Sequence, residues 1–167
     1  MKSRFRKSTW LAARPDAVLD FHLDPNNLKV VQPPGSRLLQ GSFPDRLTVG
    51  SCCQFVVGMP WGVDHWEIVV DEIKLPSKQE EGWMVDRAEK SPFKFWIHRH
   101  RVTPEASGCR LTDEIEFAPP GPSALDVLSI APTWIALWFL FWFRHLKTRL
   151  HFLALSPNLE RSGDVKR

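Results

Sequence analysis

Between residues 37 and 118 the chain offers strand after strand. The runs RLLQGSF (37–43), SCCQFVVGM (51–59), VDHWEIVVDEIKL (63–75), EGWMVDRAEK (81–90), FKFWIHRHRV (93–102) and CRLTDEIEFA (109–118) are mostly separated by Gly, Pro or charged breaks. Links this short cannot carry the long crossover that parallel strands require, so the strands must pair antiparallel. Such a sheet has an apolar face that something else must cover. The cover has to come from the two ends of the chain.

At the N-terminal end, SRFRKSTWL (3–11) reads as a first strand, although its alternation separates polar from apolar only loosely. The segment RPDAVLDFHLDPNNLKVVQPPG then predicts two short helices. Pro15 suits a first helical turn, Val18, Leu19 and Phe21 supply an apolar side, and Asp24-Pro25 caps and opens the second helix. Pro33-Pro34-Gly35 ends this region. After PPGPS the period changes, and Ala124 to Leu155 predicts one long helix with an interruption near Pro132. The polar tail, residues 156–167, is expected to be disordered. The layout is α+β, with six to seven antiparallel strands, two short helices after the first strand and one long C-terminal helix.

A chain of 167 residues with 43% hydrophobic content suits one domain, taken as residues 1–155. The basic start MKSRFRKSTW leads into alternating residues and not into an apolar run with a cleavage site, which predicts a cytoplasmic protein. Three cysteines, two of them adjacent at Cys52 and Cys53, argue against a disulfide framework and show no metal-type spacing. The net charge is only +3 and the basic residues are spread along the chain, so no nucleic-acid partner is expected. Eight Trp and eleven Phe without a single Tyr put large rings lacking hydroxyls into the fold. Rings of that kind suit an apolar core or cavity.

Successive strand residues point to opposite faces, so parity sorts the polar groups. In LTDEIEF, Leu111, Asp113, Ile115 and Phe117 share one side, which places Asp113 on the apolar face. In FWIHRHRV, Arg99 and Arg101 claim one face and Trp96, His98, His100 and Val102 the other. A hairpin across TPEASGCR whose paired residue numbers add to 213 sets His100 opposite Asp113 and His98 opposite Ile115. A preceding hairpin turning at Ser91-Pro92, with pairs adding to 184, brings Asp86 to His98. Directly opposed side chains have Cβ atoms about 5 Å apart, within reach of an imidazole–carboxylate contact.

These registers imply an inward polar group of Asp86, His98, His100 and Asp113 set among Trp66, Met84, Trp96 and Ile115. Buried carboxylates need paired, hydrogen-bonded partners, and histidine satisfies that condition. Such a group can tie strands together, recognise a polar atom on an apolar ligand, or act chemically, with His98 or His100 as general base oriented by Asp113. A metal is not expected from H-x-H alone, which lacks a diagnostic third-ligand spacing. No nucleophile elbow and no phosphate-cradling loop occurs in the sequence.

The element order, with FHLDPNNL, VDRAEKSPFKFWIHRHRV, LTDEIEF and the late FWFRH, resembles the START/Bet v 1-like superfamily (SRPBCC, the polyketide cyclase/dehydrase and lipid transport group) over residues 3–153. More narrowly it is similar to a bacterial subgroup that stands alone or is fused to an epimerase-like domain. The resemblance implies a helix-grip fold, in which a curved sheet wraps the last helix and encloses a cavity for a small hydrophobic or lipid-like molecule. No cofactor is expected. The resemblance also makes the helix one wall of the cavity, which adds Trp134 and Trp138 to the candidate ligand-binding residues. Carriers and enzymes both use such a cavity, so a carrier, sensor or presenter and a cyclase/dehydratase-like enzyme both stay open.

Val127 to Phe143, VLSIAPTWIALWFLFWF, is seventeen residues without a charge and apolar nearly all round. It falls just short of the ~18–20 residues of a bilayer span. The sheet grips one side, and the other is expected to meet the two short helices, a second copy in a homodimer, or a membrane surface reached peripherally with RHLKTR.

Overall fold

The computed structural model describes residues 1–60, 62–119 and 126–155. Among these residues the order is β1 (Ser3–Leu11), α1 (Pro15–Leu23), a 3-10 turn (Pro25–Lys29), β2 (Arg37–Ser42), β3 (Cys52–Met59), β4 (Gly62–Lys74), β5 (Gly82–Lys90), β6 (Phe95–Glu105), β7 (Gly108–Ala118) and α2 (Asp126–Leu155). The strands form one antiparallel sheet in the order β1-β7-β6-β5-β4-β3-β2. This is the α+β helix-grip architecture. Consecutive strands pair from β2 to β7, and β1 closes the sheet against β7.

Local chemistry explains the borders. Pro15 occupies the first turn of α1, where its missing N–H removes no helical bond. Asp24 accepts a hydrogen bond from the Asn26 amide at 2.9 Å and so caps the 3-10 turn. The second short helix is thus a single tight turn. Gly108 opens β7 where the chain passes β1: a Cβ there would collide with the carbonyl oxygen of Leu11. The close approach allows Cys109 to pair with Leu11, and β7 holds its register against the edge strand β1 on one side and β6 on the other.

Pro132 lies inside α2 without ending it, and the helix runs thirty residues from Asp126 to Leu155. The expected interruption is absent: Pro132 removes one backbone donor near the helix start, and the following turns continue. The expected helix residues Ala124 and Leu125, and the polar tail, lie outside the described residues. Among the described residues no helix is long and apolar enough to cross a membrane.

α1 packs over β5, β6 and β7, whereas α2 lies along β1 and touches β7. Among the described residues α1 meets α2 near its end, through Phe21 against His151 and Phe152. The short helices therefore do not cover the outer side of α2. Ile135, Phe139, Trp142 and Leu150 remain exposed there.

Two apolar clusters fill the concave face. One, mainly aliphatic, gathers Leu11, Val18, Leu19, Met84, Val102 and Leu111 under α1. The other, mainly aromatic, joins Phe5, Trp96, Ile115, Phe117, Leu137 and Phe141 under α2. Each strand of the central sheet crosses from one cluster to the other, and what lies between them is polar.

Candidate functional site

The polar band follows from where each element changes character. Along β6 the inward residues run Trp96, His98, His100, Val102; along β7 they run Phe117, Ile115, Asp113, Leu111. On α2 the buried stripe Leu137, Phe141, His145, Thr148, Phe152 repeats the sequence apolar, polar, apolar. Stacking these elements aligns their polar positions. The alternating burial of β6 brings both histidines inward at 4% exposure each.

The registers are those that the sequence predicts. His100 is opposite Asp113, His98 opposite Ile115, and Asp86 opposite His98. Directly opposed residues are not always the bonded ones, however. The His98 ring donates from Nε2 to Asp113 Oδ1 at 2.9 Å, diagonally across the strands. His100 places Nδ1 2.7 Å from the same oxygen, at an angle unsuited to a hydrogen bond. The third imidazole, His145 of α2, donates from Nε2 to Asp113 Oδ2 at 2.5 Å. Asp113 is therefore a hub for three rings and ties the helix to the sheet.

Asp86 is placed differently. Its Oδ2 stands 3.8 Å from His98 Nδ1 and 3.9 Å from His100 Nε2, beyond hydrogen-bond range, while the residue is only 7% exposed. The same burial has opposite outcomes for the two carboxyls. Burial pushes Asp86 up to about 6, against the pull of His100 and Arg144. For Asp113 burial raises the carboxyl too, but the adjoining His100, His145 and His98 outweigh it and hold the group well below the usual carboxylate range. Burial likewise lowers His98 and His100, partly offset by Asp113. His22 of α1 is lowered to about 3 by burial and by His100, whose ring centre is 4.7 Å away.

Asp86, His98 and His100 each turn one donor atom toward a common point, all within 4.8 Å of one another. From the histidines an aromatic ladder leads away along the concave face. Trp96 lies 6.1 Å from His98 between ring centres and meets Trp66 edge-on at 5.4 Å, and Trp66 stacks parallel on Phe55 at 6.2 Å. Trp66, Phe55 and Phe93 are only half-buried.

Of the expected ligand-binding residues, Asp86, His98, His100 and Asp113 come together, with Met84, Trp96 and Ile115 buried beside them. Trp66 joins the ladder. Trp134 instead packs edge-on against Phe5, and Trp138 stacks on Trp142 with Lys7 above its ring, so both stand on the flank of α2 with about two-fifths of their surface exposed. Two open hollows lie away from the histidines, one of about 420 Å³ near Asn26, Leu38 and Phe43 and one of about 400 Å³ near Ala12 and Pro104. Phe141 and Trp96 pack beside the His98 ring, at 5.2 and 6.1 Å between ring centres.

Sequence reasoning missed His22, Arg144, His145 and Thr148. The signal was present: Phe141, His145, Thr148 and Phe152 recur at helical spacing and share one face. Treating the segment as an apolar stretch ending at Phe143 hid that continuation.

A curved antiparallel sheet with α2 along it and a buried histidine–carboxylate band defines the chain as a helix-grip protein with the fold of the START/Bet v 1-like superfamily. Solved structures with this fold include the di-domain aromatase/cyclase StfQ from the steffimycin biosynthetic pathway, with a TM-score of 0.72 and 14% identity over 94% of this chain. The chain spans about half of StfQ, 53% of its length. The Zhui aromatase/cyclase from Streptomyces sp. R1128 has a TM-score of 0.70 and 10% identity, covering 91% of this chain and 94% of its own. The major latex-like protein 151 from Panax ginseng has a TM-score of 0.62 and 10% identity, covering 91% and 98%. No family model matches the chain, and no curated protein matches it in sequence.

Proposed function

We propose that this chain binds a small, largely apolar molecule against the aromatic ladder, with the histidine–carboxylate band as the polar end of the site. The observation that carries this reading is the row Phe55, Trp66, Trp96 and His98, whose rings follow one another on the concave face while Phe55 and Trp66 stay half-buried. Pockets for small molecules are mostly apolar with a few placed polar groups, and half-covered rings at the rim of a packed core can part to admit a ligand. The aromatase/cyclases of the same fold support the reading. Native mass spectrometry of the purified chain tests it. A co-purifying or added apolar compound should bind at one per chain, and Trp66→Ala should weaken it at least tenfold; a folded protein that retains none would refute it.

A second reading is a cyclase/dehydratase-like enzyme, favoured by a carboxyl at Asp86 that titrates near 6 beside imidazoles held in place by Asp113. His100→Ala separates the two: an enzyme loses turnover of the bound compound while binding survives. The exposed row on α2 favours a third reading, peripheral contact with a membrane or with a second copy. Flotation with anionic vesicles and sedimentation of the free chain distinguish these.

A further inference from the structure

Hydrogen placement in the band exposes a conflict that a cation would resolve. Asp113 accepts the proton-bearing nitrogen of His98, Nε2, which leaves Nδ1 of a neutral ring as a bare lone pair. That lone pair faces the Asp86 carboxylate at 3.8 Å. His100 is turned the other way: Nδ1 lies 2.7 Å from Asp113 without hydrogen-bond geometry, and Nε2 faces Asp86 at 3.9 Å, free to accept when the proton is on Nδ1 beside Asp113. Three potential ligand atoms thus lie within 4.8 Å of one another in a buried site, and neither imidazole comes within hydrogen-bond distance of the Asp86 carboxylate.

We propose that Asp86, His98 and His100 form a binding site for one divalent transition-metal ion, with His98 ligating through Nδ1, His100 through Nε2, and Asp113 orienting both rings from behind. Ligand atoms around a tetrahedral ion with bonds of roughly 2.0–2.1 Å lie about 3.3 Å apart. Closing on the metal therefore draws each histidine nitrogen about 0.5 Å nearer Asp86 from the observed 3.8 and 3.9 Å, with all three atoms already within 4.8 Å of one another and side-chain rotation supplying the rest. Two imidazoles and one carboxylate suit zinc, cobalt(II) or iron(II) rather than calcium or magnesium, which take oxygen ligands. A carboxylate bonded to the far nitrogen of a ligating histidine is the outer-shell partner that fixes ring and tautomer. Here one aspartate faces both rings. The charge balance also fits: Asp86 and Asp113 outweigh the nearby Arg144 guanidinium, which is drawn to both carboxylates. Three protein ligands leave a coordination position open. The third ligand comes from a strand neighbour, which is why H-x-H gives no sign of it in the sequence.

The full chain, stripped with chelator and freed of any affinity tag, should bind one equivalent of zinc(II). Cobalt(II) should give the intense visible absorption of a low-symmetry nitrogen–oxygen site. Asp86→Asn keeps the packing and should lower zinc affinity at least a hundredfold. Asp113→Asn should lower it ten- to a hundredfold as a positioning residue. Cys52→Ser and His65→Ala, which remove exposed surface ligands, should change nothing. Zinc should also raise the melting temperature of the wild type and leave that of Asp86→Asn unmoved. Absence of stoichiometric binding to the folded wild type, or binding that survives both Asp86→Asn and His100→Ala, overturns the proposal. Because it concerns the metal alone, failure of the apolar-ligand reading would leave it standing.

Discussion

The two apolar clusters on either side of the histidine band are built from different material and behave as different kinds of wall. Under α1, Leu11, Val18, Leu19, Val102 and Leu111 are completely buried, and the half-buried Ala13, Ala17, Phe43, Phe55 and Ile73 pack at the edge of that cluster. Under α2, Phe5, Phe117 and Phe141 are as deeply buried, yet their neighbours Trp66, Phe93 and Leu140 are only half-covered. The difference accompanies the position of α2, which lies along β1 and touches β7, while β3 and β4 present half-buried Phe55 and Trp66 beside buried Cys53 and Val70. One wall holds the fold together and the other can yield. The band between them is fixed to both.

The largest expected effect falls on that shared band. Replacing Asp113 by Ala removes the acceptor of His98 and His145 and the anion facing His100, leaving three buried rings unpaired. Breaking a buried charged network by removing one partner costs about 3–5 kcal/mol, read from the shift in urea midpoint. A loss below about 1 kcal/mol would show that the two clusters cohere without the band. Next in size, Leu19→Ala in the aliphatic wall should cost roughly 3 kcal/mol, because a rigid, gap-free cluster cannot collapse into the cavity. If it costs no more than a truncation at Trp66, the contrast between the walls fails.

Much of this arrangement is legible in the sequence, for a reason specific to strands. A period of two is short enough that a few residues determine the inward side, so WIHRHRV and LTDEIEF disclose the faces of β6 and β7, and the short turn at Ala106-Ser107 sets their register. The hidden part depends on longer-range geometry. That His145 reaches Asp113, that His22 lies over His100, and that Asp86 stands beyond hydrogen-bond distance of both imidazoles depend on how helices settle on the sheet. Whether space between sheet and helix is open or filled depends on where α2 rests, and Phe5 and Phe141 meet at 5.6 Å across it.

A third prediction opposes the first in sign. Asp86 titrates near 6 in the fold, above the usual carboxylate value of 3.8, so the folded state holds its proton more tightly than the unfolded chain. The burial penalty is absent below pH 3.8 and complete above pH 6. The charged and titratable groups acting on Asp86 are His98 and His100 on β6, Arg144 on α2, Asp113 on β7 and Asp71 on β4, of which the two carboxylates push it further up. In chelator-treated protein at pH 7.5, Asp86→Asn should therefore stabilise the fold by up to roughly 3 kcal/mol, at 1.36 kcal/mol per pH unit. At pH 4 the gain should vanish. Destabilisation at pH 7.5 would mean that the carboxylate has a partner in solution and that the two aspartates are alike.

The smallest effect on stability should carry the largest effect on binding. Trp66 shares ring contacts with Phe55, Phe93 and Trp96 at 6.2, 5.9 and 5.4 Å, but as a half-buried residue it contributes area more than closure. Trp66→Phe keeps a ring and shortens it, which should cost about 1 kcal/mol, the scale of a few weakened aromatic pairs. Affinity for an apolar probe should nevertheless fall severalfold, because the surface removed is the one a ligand would cover. Leu19→Ala should show the inverse, with a large stability loss and unchanged affinity for the fraction still folded. If both substitutions weaken binding in proportion to stability, the aromatic wall is core and nothing more, and the division of the concave face into a structural half and a receptive half is wrong.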